Sequence, residues 1–488
     1  VTPSISTSPA ISGQVRGLSD QDQQTLIELL NQLNAKAPRN RLRRRYYDAK
    51  YTLRDLGIAI PPHLRTIEAV LGWPAKAVDA PIRRLKLEGF TLPDSEGDPL
   101  GVGEIWAANN LDVEASQVHT SAALHAVAFL TITQGRPSEG EPEVLIIGRS
   151  AEDATGLWDA RRRALRAGLS VTDRDAETGE PVEMVMYLPG RNVILRGDDR
   201  RWSADSRDHE LSGRVLMEPL VYNPRPGRPF GSSRLSRPVM TLTDAALRTL
   251  VRSEVTAEFF SSPQRYALGA DESAFVGPNG EMRGQWESII GRVWAIGRDE
   301  DGEIPQVGQF PQVSMQPHIE HLRMIATLFA AETSLPVSAL GVVQDNPSSA
   351  EAIYAAKEEL IIEAQWAAAS FGAAWRRAML TALQLRDGVR ELPSEWLALQ
   401  PRWRDPSIPS RAAAADAVAK EVGAGILPPD SEVTYERLGF DQATINRLVA
   451  ERRRAQARQQ LSTLAAAAAA ARQNPVVAEL DARRGDGG

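Results

Sequence analysis

The 488-residue chain contains no cysteine. That absence removes a disulfide framework, a thiolate zinc site and a cysteine nucleophile together, and it leaves the compartment open. Histidine is scarce, with six in the whole chain, and no H-E-x-x-H occurs. No G-x-x-x-x-G-K-[ST] sequence is present, which disfavours a phosphate-cradling ATPase motor, and there is no G-x-S-x-G elbow. Gly101-Val-Gly103 lacks the third glycine and the strand–helix setting of a dinucleotide site. Long apolar runs are missing too. The longest uncharged stretch, Ala115 to Gly135, carries Ser116, Gln117, His119, Thr120 and His125 and is too polar for a membrane span. Val1 to Leu18 is rich in Ser, Thr, Pro and Gly, without the apolar segment of a secretory signal. Together these absences predict a soluble protein that is not an enzyme and binds no metal or cofactor.

What is present is enough for real cores: 42% of residues are hydrophobic, which excludes global disorder. Lys and Arg number 56 against 63 Asp and Glu, a net charge of −7. A protein that wraps nucleic acid tightly leans the other way, because phosphate neutralisation needs clustered cations. At roughly 150 residues per domain the length suggests about three domains, or one large elaborate one.

Periodicity and punctuation divide the chain. Residues 1–18 are expected to be a disordered tail. A helix with an apolar stripe at Leu26, Ile27, Leu29, Leu30 and Leu33 is expected to break at Ala37-Pro38 and resume at Arg39. Short β-branched runs at 124–133, 143–147, 183–188, 192–196 and 215–219 alternate with helical stretches such as Gly156–Leu169, which predicts an α+β unit. Ser236 and Pro238 open a helix that runs to Phe260, where Pro263 ends it. Residues 264–316 are loop and strand material. Another helix starts near Pro317 and stops at Leu335-Pro336. In Asn346-Pro347-Ser348-Ser349-Ala350-Glu351, Ser348 and Glu351 form a capping box, which contributes about 1 kcal/mol. It opens a helix of nearly 40 residues closed by Asp387-Gly388. The C-terminal hundred residues are helical and Ala-rich, ending in a tail from 476.

Four further features are candidate sites. His318 and His321 stand one helical turn apart, a spacing able to hold a metal; exposed polar residues near a helix start is the preferred reading. The run Arg39, Arg41, Arg43, Arg44, Arg45, Lys50 and Arg54, interleaved with Tyr46, Tyr47 and Tyr51, superficially resembles a nucleic-acid patch. The preferred alternative makes the tyrosines a buried edge, with the arginines solvated or paired. Arg452-Arg-Arg454 and the alanines at 465–471 also read as structural, the latter as a tightly packed helix surface.

The order helix, variable insert, helix, short polar loop, capped long helix then carries a resemblance. Pro226-Gly-Arg-Pro-Phe-Gly-Ser-Ser-Arg-Leu-Ser-Arg-Pro238, Thr333-Ser-Leu-Pro-Val-Ser-Ala-Leu-Gly341 leading to Asn346-Pro-Ser-Ser-Ala-Glu-Ala352, and Tyr46-Tyr47-Asp48 with Trp73-Pro74 are its residues. The sequence resembles the portal proteins of tailed bacteriophages, of the type found in actinobacterial siphophages, over about residues 20–460.

The resemblance implies a helix-dominated α+β subunit with an α/β wing, a two-helix stem, a β-containing clip, a long wing helix and a helical crown. By position, 19–235 would be wing, 236–263 and 317–335 stem helices, 264–316 clip, 336–347 tunnel loop, 348–388 the long wing helix and 389–475 crown. It implies a homo-oligomeric ring, usually of twelve copies, at the unique capsid vertex of the virion, assembled in the host cytoplasm. The ring is the channel for packaging and ejecting double-stranded DNA. It docks terminase, the major capsid protein and head-to-tail adaptor proteins. Val343, Gln344, Asp345, Asn346 and Pro347 would form the DNA-channel loop. The rival readings are another head structural protein, adaptor or capsid, and a DNA-processing enzyme of the packaging module.

Overall fold

The computed structural model describes residues 13–51, 69–93, 98–198, 201–211, 213–260, 265–269, 302, 304, 306–309, 314–342, 350–407, 411–440 and 442–472. It divides into two units, 1–406 and 407–488.

The first unit opens with α1, Asp20–Tyr47, capped by the Ser19 hydroxyl accepting from the Asp22 amide at 3.2 Å. It is continuous, with Pro38 inside it rather than breaking it. An interior proline costs about 3 kcal/mol. The helix persists because it is pinned on both sides: Leu26, Leu29 and Leu33 are buried before Pro38. After it, the Asn40 amide donates to the Ala151 carbonyl at 2.9 Å. Part of the expected N-terminal tail is ordered too. Val15 is 1% exposed, in one core with Leu26 and Leu29, and Arg16 exchanges backbone hydrogen bonds with Trp202 and Ala204.

That core lies against a five-stranded antiparallel meander: β4 (Ala154–Asp159), β5 (Ala164–Arg174), β6 (Pro181–Leu188), β7 (Arg191–Asp198) and β8 (Arg201–Asp208). The stretch Gly156–Leu169, expected to be helical, is therefore a hairpin. Its turn is set by the Asp159 carboxylate accepting from the amides of Arg161 and Arg162. Gly156 faces Gly168 across it. A Cβ at 156 would lie 2.8 Å from the Leu165 side chain, and one at 168 only 2.3 Å from the Met217 sulfur, so glycine at both positions leaves room for those two side chains.

A second sheet has the order β3 (Val144–Ser150), β2 (Val127–Gln134), β9 (Met217–Val221), all antiparallel. The helices α2 (Trp73–Ile82), α3 (Val102–Ala108) and α4 (Leu111–His125) pack with it in the largest core. A third pairing joins distant segments, β1 (Leu87–Thr91) with β12 (Gln400–Trp403). Residues 400–403, expected within a helical stretch, thus complete a sheet of the first unit.

The other helices follow the punctuation closely. α5 is Arg237–Phe260, α6 Gln316–Thr333 and α7 Ala350–Asp387. At 1.5 Å per residue α7 is about 57 Å long. Of the expected insert between α5 and α6, the described part is a strand pair, β10 (Arg265–Leu268) with β11 (Gln306–Gln309). Among the described residues no helix is long and apolar enough to cross a membrane.

The second unit holds α8 (Arg411–Gly423), α9 (Glu432–Arg437) and α10 (Gln442–Arg472). Arg452 pairs with Asp430 at 2.8 Å and Arg437 with Glu421 at 3.2 Å, so Arg452 serves the fold. Residues 465–469 of the alanine run are exposed, not packed as expected.

Candidate functional site

The channel-loop residues Val343, Gln344, Asp345, Asn346 and Pro347 lie outside the described residues, as does the cap Ser348; Glu351 falls in the first turn of α7. The described residues fix instead what precedes and follows that loop. Thr333 closes α6, and Ser334 turns the chain with a left-handed φ of 54° while its amide caps Ala330. Pro336 stops the helix, because it has no N–H and its ring clashes with the preceding turn. A short 3-10 turn, Val337–Leu340, follows, with Leu335 buried before it and Leu340 buried at its end. Lys76 Nζ donates to the Ala339 carbonyl at 2.7 Å, and Gly341, at φ +85°, redirects the chain.

One side chain of the segment before α5 holds this arrangement together. Arg234, with 9% of its side chain exposed, donates from Nε to the Ala77 carbonyl at 3.0 Å and from Nη2 to the Thr333 carbonyl at 2.5 Å. Its Nη1 lies 3.2 Å from Glu363 on α7, and its backbone amide donates to Ala123. Tyr222 hydrogen-bonds the same Glu363; burial, together with that carboxylate, raises the phenol pKa against the opposing pull of Arg234. A planar guanidinium with several fixed donors suits this convergence. Sequence reading marked the motif around Arg234 but not its function as the tie between α2, α6 and α7.

The helices α5 and α6 pack along their lengths. Val239 and Ala246 share one buried core with Ile325, Phe329 and Ala330, and Thr243 and Val251 are buried on the same helix. His321 and His318 are hydrogen-bonded across the pair, Nδ1 to Thr249 at 3.1 Å and Nε2 to Thr256 at 3.3 Å. No metal-binding group of three ligands exists among the described residues. The other flank of α6 exposes Ile319, Met324 and Leu328; α7 exposes Ile362 and, at 64%, Trp366.

The basic run is largely structural. Tyr46 donates to Asp244 and Tyr47 to Asp79, both at 2.8 Å, and Tyr51 stacks on Tyr46 at 4.1 Å. Arg43 donates to the His125 carbonyl, Arg44 pairs with Glu152 at 3.1 Å and Lys50 with Asp48 at 3.7 Å. Arg54 lies outside the described residues. Behind α7, Trp375 donates its indole N–H to Nε2 of His119 at 2.8 Å, and the imidazole stacks on Phe371. Full burial lowers the His119 pKa to about 3, so the ring is neutral.

Residues 27–456 match the family described as phage portal protein, SPP1 Gp6-like. The portal protein of Mycobacterium phage D29 is 32% identical over 397 residues, 78% of this chain and 79% of that protein. The portal protein of Mycobacterium phage L5 is 32% identical over 393 residues, with the same shares covered. Among solved structures, a chain from the neck of a native GTA particle, computed with C12 symmetry, is 15% identical with a TM-score of 0.38; 75% of this chain and 89% of that one are covered. The chain belongs to the SPP1 Gp6-like family of phage portal proteins.

Proposed function

We propose that copies of this chain close into a ring, twelve in the usual number, at the unique capsid vertex. There the ring conducts double-stranded DNA during packaging and ejection and docks terminase, the capsid shell and head-to-tail adaptors. Family membership makes the chain a structural component of the virion and not an enzyme; the remaining assignments are inferences. The observation that carries them is the succession α5, α6, locked turn, α7. The base of the 343–347 segment is fixed by Arg234, Lys76, Leu335 and Leu340, so a loop there is presented from a rigid frame. In this reading α5 and α6 are the stem and the segment between them is the clip. Gln344 and Asp345 face the DNA, and 407–472 belongs to the crown.

The exposed apolar side chains of α6 and α7, Trp366 above all, are the groups that contacts between copies would cover. The net charge of −7 per chain multiplies around a ring. It suits a conduit that must not grip its cargo, because affinity rises with each phosphate neutralised. A small rigid-body shift of this frame as a unit moves the loop tip without unfolding either helix.

Shortening 343–347 tests the assignment. Phage carrying the shortened loop are expected to form heads that package or retain less DNA. Normal DNA content and retention would overturn the channel-loop assignment.

A further inference from the structure

One cavity lies apart from the stem and loop elements. It has a volume of about 150 Å³ and sits between α1, β2, β4 and the turn at 228–232, wholly within the first unit. Among the described residues, four cationic side chains line it, Lys36, Arg39, Arg43 and Arg228, and no carboxylate does. Among the described residues no acidic group pairs with Lys36, Arg39 or Arg228. The neighbouring Glu152 is engaged by Arg44 at 3.1 Å and stands 3.9 Å from His125 Nε2.

Among the described residues, two polar atoms buried beside this cavity have no hydrogen-bond partner, Arg43 Nε and His125 Nδ1. His125 is 95% buried, being 5% exposed. An unmatched buried donor or acceptor costs about 1–3 kcal/mol, and two at one cavity call for a common partner. Arg43 already uses Nη1 to hold the His125 carbonyl at 2.9 Å. Its Nε edge is left, the edge that grips a carboxylate with two parallel bonds. The remaining wall is apolar, with Leu33, Val127, Phe129 and Phe230. A space of this size holds a benzene-like body and is far too small for a duplex.

We propose that this cavity binds a carboxylate carried on a small apolar body, with Arg43 and His125 receiving the anionic end, Phe129 and Phe230 enclosing the stem, and Arg39 and Arg228 guarding the mouth. The chemistry is the same whether the carboxylate belongs to a free organic acid or to an apolar C-terminal residue of another protein. The mutual crowding of the cations agrees: burial first, then Arg39, lowers the Arg43 pKa to about 10. Burial, with Arg43 and Arg44, brings His125 to about 3.

Calorimetric titration of the full chain tests this with four probes: benzoate, N-acetylphenylalanine, N-acetylphenylalanine amide and inorganic phosphate. The two carboxylates are expected to bind, and the uncharged amide at least ~10-fold more weakly, as for loss of a charge-assisted bond. Benzoate matching N-acetylphenylalanine points to a free acid, and stronger binding of the latter to a chain end. Arg43→Gln is expected to abolish binding. Because Arg43 also ties α1 to His125, Arg228→Gln on the exposed turn is the companion variant. It should bind ~3- to 10-fold more weakly with an unchanged melting temperature. Equal binding of acid and amide, tighter binding of phosphate, no binding by either carboxylate, or full binding by Arg228→Gln would overturn the proposal.

Discussion

Replacing Arg234 by Ala removes the donors to Ala77 and Thr333 and leaves the half-buried Glu363, still hydrogen-bonded to Tyr222, without its cation. Losing hydrogen bonds made by a buried charged group costs about 1.5–3 kcal/mol. Arg234→Ala is expected to lose that much in chemical denaturation, and Arg234→Lys to recover little, because an ammonium cannot reach three partners in fixed directions. A loss under 1 kcal/mol would show the hub to be incidental. His119 gives a pH signature. Unfolded, an imidazole titrates near ~6.5; buried here it titrates near 3. Between those values the unfolded chain holds the extra proton. The stability is therefore full above about pH 6.5 and falls on acidification by about 1.4 kcal/mol per pH unit. His125 adds in the same direction. Denaturation at pH 7.5 and 5.0 should show the drop, and His119→Gln should show a shallower one; an equal slope in both proteins would contradict the buried neutral ring. At this scale the sequence was partly legible. The interleaving of Tyr46, Tyr47 and Tyr51 pointed to a buried edge, which the bonds to Asp244 and Asp79 bear out. Arg234, by contrast, is one arginine among many until its distant partners are known.

At the level of elements, helix ends were legible wherever proline or glycine sets them. Pro238, Pro336 and Gly388 bound α5, α6 and α7 within a few residues of expectation. Residues 156–169 were not. Leu157, Leu165 and Leu169 fit a helical spacing and the Ala and Arg between them favour helix, yet Leu165, Ala167, Leu169 and Val171 also alternate with period two. The two glycines decided between the patterns, because Gly156 and Gly168 permit the strand contacts that a helix interior would have no use for. Pro38 misled in the other direction, since tertiary anchors on both sides hold α1 through it. The exposed Trp366 and Ile362 make an assembly prediction. Trp366→Glu combined with Ile362→Asp puts two charges into the apolar face proposed to meet a neighbouring copy. Light scattering should then report monomers where the parent protein assembles, with helix content unchanged. Assembly of the double variant at parental concentrations would place the contact elsewhere.

For the whole molecule, the order of parts was the most informative property of the sequence, because helix, insert, helix, loop and long helix can be read from punctuation alone. The two-unit division at 406 was not visible there. β12 is four residues long, and its pairing with β1 spans more than 300 positions, so no local pattern announces it. The net charge of −7 argues only against tight wrapping of nucleic acid, and it gains meaning only within the proposed ring around DNA. Electron microscopy of the purified full-length protein tests that arrangement most directly. Rings with a central hole wide enough for a DNA duplex are predicted. A population of monomers, or of assemblies without a central hole, would contradict it.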